Sequence, residues 1–405
     1  MGVDILQVRH IRPEEKVIAD MLMNRVFVTS GGKDYTDWLN DPMKDTEGYE
    51  NYWGCFDGKG TMASAFIVHP YQMRFDGHVT GMGGIGGVAT SPESRGGGHI
   101  RAMFENAMRE MYDRGMVFSY LYPFSHVFYR KFGYELCCVV NEAVVALKEL
   151  AAYPRSGKVA MYKGEADING IKAVYESFTG NMNLAIARDE GDFKRILDKD
   201  AYKTKQFTYI HSGDNGPDCY IIYDHAAEAG GNAVAIKELA WSSVSGLHGM
   251  LWFLAGLSAQ FESLKWCPPG NVNAFALVPE CYNVRQKSVI NGMARIINLE
   301  AALGMMRYPA FGNGQINISV TDKFFPANTG AYLLEWENGQ GIVKKLNGAQ
   351  TGIDMELDVE TAAQLLLGYL TPEEALLKGS VRIDGDMGVL SALFPRKTLC
   401  IFEKF

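Results

Sequence analysis

Residues 88–101 read Val-Ala-Thr-Ser-Pro-Glu-Ser-Arg-Gly-Gly-Gly-His-Ile-Arg. A β-compatible stretch comes first, then a proline turn, three glycines in a row and a long amphipathic run. In that run Ile100, Met103, Phe104, Ala107, Met108 and Met111 recur on one face, which predicts a helix over 97–114. Glycines between a strand and a helix let backbone N–H groups converge on one point, and the helix N-terminus adds partial positive charge. Arg95 and Arg101 can supply full charge to an anion. The stretch reads as a phosphate cradle. A solvated glycine loop that only caps a helix is the competing reading, and three glycines alone do not separate the two.

Just upstream, Gly81-Met-Gly-Gly-Ile-Gly86 matches G-x-G-x-x-G literally. Dinucleotide binding needs those glycines in a strand-to-helix turn. Here they run into Val88-Ala-Thr90, which continues a strand, and no helix opens before Pro92. Dinucleotide binding is therefore rejected. The glycines are expected to permit a bulge or a close ligand approach within the strand.

Outward from this core, strands are expected at 4–10, 53–56, 62–70, 80–90, 117–122 and 137–146, with a helix from Pro13 to about Phe27 and a short helical piece near 125–130. This β/α alternation fills a unit of residues 1–150. Pro154-Arg-Ser-Gly-Lys158 marks a boundary, and 151–292 mixes strands and helices again. A third unit, 293–405, carries further strands and a helix over 360–368. Its last predicted helix is opened by Thr371-Pro372-Glu373-Glu374, a capping box with a first-turn proline. The expected fold class is thus α/β in the broad sense (α+β), with mixed sheets in three units.

Bulk properties exclude several functions. The 405-residue chain has a formal net charge of −8, the wrong sign for a nucleic-acid binder. It suits a cationic partner, although acidity for solubility alone is the more common reason. No apolar run approaches a membrane span, and the N-terminus lacks the apolar core of a signal peptide. The seven cysteines form no CxxC and no zinc spacing. Reduced thiols in a cytoplasmic protein without a metal are the expectation.

Residues 88–101 resemble the acetyl-CoA motif of GNAT acetyltransferases, V-x-V-x-P-x-x-R-x-x-G-x-G/A. About forty residues from Val88 comes Phe128-Tyr-Arg-Lys-Phe-Gly-Tyr134, similar to that family's Y-x-[RK]-x-G-[FY] segment. Met293-Ala-Arg-Ile-Ile-Asn298, the Glu360-Thr-Ala-Ala-Gln-Leu-Leu helix and the final Phe405 narrow the resemblance to the Eis (enhanced intracellular survival) group. The resemblance implies a GNAT domain over 1–150, a degenerate GNAT-like domain over 151–292 and a sterol-carrier-protein-like domain over 293–405.

It also implies a chemistry: an acetyl group passes from acetyl-CoA to a primary amine of a small cationic molecule or a lysine side chain, by direct attack in a ternary complex. Val88, Ala89 and Thr90 would meet the pantetheine arm. Arg95, Gly96, Gly97, Gly98, His99, Ile100 and Arg101 would hold the pyrophosphate, with Ser125 also at the cofactor. The group often has several arginines where this chain has Gly96 and Gly97, so fewer charges face the phosphates. Tyr129 matches the family's general acid, with a packed core aromatic as the alternative. The carboxylate of Phe405 matches its general base, with a frayed tail as the alternative. Trp38 and His126 are candidate substrate-binding residues. A hexamer is implied as well. A ligand- or lipid-binding protein with an inactive GNAT unit is the rival of a different class.

Overall fold

The structure is a computed structural model describing residues 6–27, 43, 46–197, 200–228, 231–348 and 350–405. Strands β1 (Gln7–His10), β2 (Tyr52–Phe56), β3 (Met62–Phe75), β4 (His78–Thr90), β5 (Phe118–Leu121) and β6 (Glu135–Ala146) come first in the chain. Strands β7 (Lys158–Met161), β8 (Gln206–Gly213), β9 (Gly216–Glu228), β10 (Gly231–Trp241), β11 (Ser263–Trp266) and β12 (Arg285–Ile296) follow. Among the described residues all twelve join one mixed sheet, in the order β1-β2-β3-β4-β5-β12-β6-β11-β10-β9-β8-β7.

The sheet is continuous because two strands cross between units. β12, late in the sequence, inserts between β5 and β6, pairing Met293–Ile296 with Leu121–Phe118 and Arg285–Ala294 with Val144–Glu135. The far end of β6 pairs with β11. β12 thus runs through residue 292, where the sequence alone suggests a boundary.

The predicted helix over 97–114 forms as α2 (His99–Asp113), after α1 (Lys16–Phe27). Met103, Phe104, Ala107, Met108 and Met111 are the buried face of α2, as their spacing requires. β3 runs on to Phe75, past the Pro70 at which the expected strand ends. β2 pairs with β3 only as far as Ile67. On that same edge, the next main-chain bonds are made by Gln72 and Arg74 to residues 184–187. Pro70 therefore lies where no ladder N–H is needed.

Strands β13 (Asn313–Thr321), β14 (Gly330–Glu337), β15 (Gln340–Leu346), β16 (Met355–Asp358) and β17 (Val381–Ile383) form a separate sheet, ordered β15-β14-β13-β16-β17. The helix Val359–Leu367, capped by Asp358 and ended by Gly368 in a left-handed conformation, is buried along most of its length. It packs on β6 and β12, and Gln364 Nε2 donates to the Leu136 carbonyl at 2.7 Å. One hydrophobic core consequently joins Phe75, Met82 and Phe118 of the first unit to Leu365, Leu366 and Leu393 of the third. The expected capping box is present: Thr371 and Glu374 exchange both side-chain-to-backbone bonds.

Candidate active site

Two features of β4 build the site from opposite faces. The first is a bulge. The β3–β4 register slips between Ala65/Ala89 and Ile67/Gly86, and Gly87 adopts φ +62° there. The second is a row of glycines that cannot carry side chains. A Cβ on Gly83 would lie 2.2 Å from Met111 Sδ of α2. A Cβ on Gly84 would lie 2.8 Å from the Phe405 ring, and one on Gly86 would lie 3.2 Å from the Phe405 carboxyl carbon. The expected bulge is present, and the close approach to these glycines is made by the chain's own Met111 and Phe405 and not by a ligand.

Beyond the bulge, Val88, Thr90, Arg95, Gly96, Gly97, Gly98, His99, Ile100 and Arg101 line a cavity of about 710 Å³. Gly96 (φ +84°) and Gly98 (φ +77°) are left-handed, a conformation costly to other residues. Gly98 caps α2 without any side-chain hydrogen bond, so no cap competes for the first-turn amides. His99 turns inward, Nδ1 lying 3.3 Å from Ser64 Oγ, and a Cβ on Gly97 would meet its ring at 2.8 Å. The loop is thus shaped as a cradle of amides. Arg95 is exposed at its edge. Arg101 pairs with Glu105 at 3.0 Å and lies over Phe324. A further cation, Lys131, lines the cavity with Phe124, Phe128 and Phe132. It stands inside the Tyr129-Arg-Lys-Phe-Gly segment, the one sequence signal that could have found it.

The remaining expectations fall as follows. Ala89 is buried in the core beneath α1 rather than lining the cavity. Ser125 caps α3 (His126–Arg130), accepting from Phe128 N. Tyr129 is buried between Phe124, Phe128, Phe104 and Tyr134, with ring centroids 5.1–6.4 Å away, directly behind Phe124 and Phe128 of the cavity wall. Burial, aided by Tyr134, pushes its phenol well above the usual tyrosine range, so it keeps its proton at neutral pH. His126 Nε2 is buried without a hydrogen-bond partner. Trp38 lies outside the described residues.

The chain end is fixed, not frayed. Asn183 N donates to Thr398 O (2.9 Å) and Cys400 N to Asn183 O (3.0 Å). Arg188, itself buried, holds Glu238 with two bonds of 2.7 Å and Glu403 with a third. Tyr122 Oη donates to the Glu403 carbonyl at 2.5 Å, and Lys404 Nζ donates to Asn291 Oδ1 at 2.7 Å. The Phe405 ring then sits among His69, Tyr71, Tyr120 and Tyr122, with centroids 5.2–6.3 Å apart. Sequence reasoning missed His69, Tyr71, Tyr122 and Arg188, which meet the tail only through long-range folding, and Glu403, the tail residue that Arg188 and Tyr122 hold.

A glycine cradle at a helix N-terminus, beside a bulged strand in a mixed sheet, is an anion-binding geometry of the kind the GNAT resemblance implies. The chain belongs to the GNAT superfamily: residues 7–137 and 184–296 each match a GNAT acetyltransferase domain, and residues 299–400 match a sterol carrier protein domain. No curated protein sequence matches it. Among solved structures, a GCN5-related N-acetyltransferase from Anabaena variabilis superposes with a TM-score of 0.85 at 20% identity, over 99% of this chain and 100% of that one. A probable N-acyltransferase from Enterococcus faecalis gives 0.83 at 20% identity with the same coverage. Eis1 from Mycobacterium abscessus gives 0.79 at 18%, again over 99% and 100%. These likenesses establish a shared whole-chain fold.

Proposed function

We propose that this enzyme moves an acetyl group from acetyl-CoA to a primary amine, on a small cationic molecule or a lysine side chain, by direct attack in a ternary complex. The observation that carries the reading is the placing of the amide cradle and the chain end along one bulged strand, β4. Amides of Gly96 to Arg101 hold the pyrophosphate, with Arg95 and Lys131 adding charge. Main-chain groups of Val88 and Thr90, on the stretch of β4 past its pairing with β5, hold the pantetheine arm and polarise the carbonyl. Acetyl-CoA supplies a thioester as the electrophile. Tyr129 gives its proton to the leaving sulfur, and the Phe405 α-carboxylate accepts a proton from the amine.

The C-terminal unit delivers the tail in this scheme. The pocket lined by Leu303, Ile318 and Leu366 in its apolar interior is small, about 10 Å³. We further propose a cytoplasmic homo-hexamer: an odd cysteine count without a disulfide or zinc spacing favours a reducing compartment, and the resemblance to the Eis group implies the assembly. Sedimentation of the purified protein checks the assembly.

Release of thiol from acetyl-CoA in the presence of an amine panel tests the activity. A chain that neither binds acetyl-CoA nor releases thiol with any amine sinks it. Tyr129→Phe keeps the aromatic packing and removes one proton. Its kcat should fall by about 10²-fold with acetyl-CoA binding unchanged; a wild-type kcat would leave Tyr129 as a core aromatic only.

A further inference from the structure

The Phe405 carboxylate has a neighbour to which no role has been given. A Cβ on Gly86 would lie 3.2 Å from the Phe405 carboxyl carbon and 3.3 Å from His69 Nε2. The carboxyl and the imidazole therefore flank one glycine on one face of β4. His69 projects from β3 opposite Gly84, and its ring centroid lies 5.9 Å from that of Phe405. It is half-buried, which leaves it a route to solvent. The titratable groups facing it are Tyr71 on the same strand and Arg195 from the helix Glu190–Leu197; Tyr71 in turn faces Glu403, which Arg188 engages, and Asp192, which pairs with Arg195.

We propose that His69 and the Phe405 carboxylate form a proton-accepting pair for the acceptor amine, seated over Gly86. The proposal rests on the acetyl-transfer reading above and adds a residue to it. An α-carboxylate titrates roughly six units below an alkylammonium and is a weak base toward it; an imidazole closes about half of that gap. Burial and Arg195 lower the imidazole's affinity for a proton, so His69 stands neutral at neutral pH; in the proposed pair the negative carboxylate, flanking the same Gly86, favours the imidazolium once a proton arrives.

The proton count closes. The ammonium loses one proton through the pair to solvent. The amine lone pair forms the C–N bond as the C–S bond breaks, and the sulfur takes its proton from Tyr129. The second nitrogen proton leaves through the pair, and Tyr129 recovers one proton from solvent. One proton is released per turnover.

The test uses the full-length enzyme and an amine that it turns over. His69→Gln keeps a polar side chain of similar size. It should lower kcat at neutral pH by about 10- to 10²-fold and move the acidic limb of the pH–rate profile down by about one unit or more, toward the carboxylate alone. His69→Ala should be partly rescued by added imidazole. Acetyl-CoA binding should be unchanged in both. A uniform loss of rate with an unmoved limb and no rescue makes His69 a packing residue and overturns the proposal. Appending residues after Phe405 separates the two readings. If the extended enzyme is fully active, the terminal carboxylate is not the base and the pair falls with it. If extension abolishes turnover while His69→Gln keeps the wild-type rate and profile, only the pair falls.

Discussion

Appending two glycines after Phe405 should lower kcat by about 10²- to 10⁴-fold and leave acetyl-CoA binding intact. The extension moves the charge without touching the cradle, because the carboxyl lies at Gly86 of β4 and the Gly96–Gly98 loop lies after that strand, at the start of α2. The tail has little freedom to adapt. Arg188 fixes Glu403, Tyr122 fixes the Glu403 carbonyl, Asn291 fixes Lys404, and the ring of Phe405 fills the space over Gly84. Added residues must either push the ring out or crowd the acceptor side, and both separate the base from the amine. Thiol release measures the first quantity and calorimetric titration with CoA the second. Full activity in the extended enzyme would refute the assignment of the base.

The second large effect concerns stability. Asp322→Ala should destabilise the protein by about 3–5 kcal/mol, read as an earlier urea midpoint. Arg295 of β12 is fully buried; its Nη2 donates to Asp322 at 2.6 Å and its Nη1 to the Phe132 carbonyl at 2.5 Å. Its Nε already lacks a partner, so losing Asp322 leaves a buried guanidinium with one carbonyl for support. Asp322 also accepts from the amides of Phe324 and Phe325 and from Asn328 Nδ2, so its loop loosens with it. Replacing both partners by apolar residues, Arg295→Met with Asp322→Leu, should recover much of the loss, because the cost lies in the unpaired charge. A single variant as stable as the wild type would show that this ion pair does not tie the units together. The same arginine explains Gly133, whose Cβ would lie 1.9 Å from Arg295 Nη1 at a left-handed φ of +76°. The glycine of the Tyr129-to-Tyr134 segment is held by packing as well as by backbone conformation.

Local signals were legible in the sequence. The helix after the glycines, the bulged strand before them and the Thr371 capping box are all encoded within a few residues, by spacing, turn chemistry and caps. The cradle was legible for the same reason. The partners of the chain end were not. Tyr122 and Glu403 are 281 residues apart, and nothing near either one marks the other. Pro70 misled the reading of β3, because whether a missing N–H matters depends on what lies alongside, and that is a tertiary fact. The G-x-G-x-x-G run could be set aside as a dinucleotide motif from sequence, but the residues that crowd it could not be read there. Its glycines are there to be small, with Met111 on one side and Phe405 on the other.

The insertion of β12 between β5 and β6 also bears on how the chain is made. Emerging from the ribosome, the first 150 residues hold every strand of their own unit except the one that joins β5 to β6. The gap stays open until residue 296 is available, so two bare strand edges wait through the synthesis of the whole middle unit. A truncated chain ending near 150 is therefore expected to aggregate instead of folding. Release of a working N-terminal unit has to wait for its missing strand, which makes the order of synthesis a constraint on this enzyme's folding.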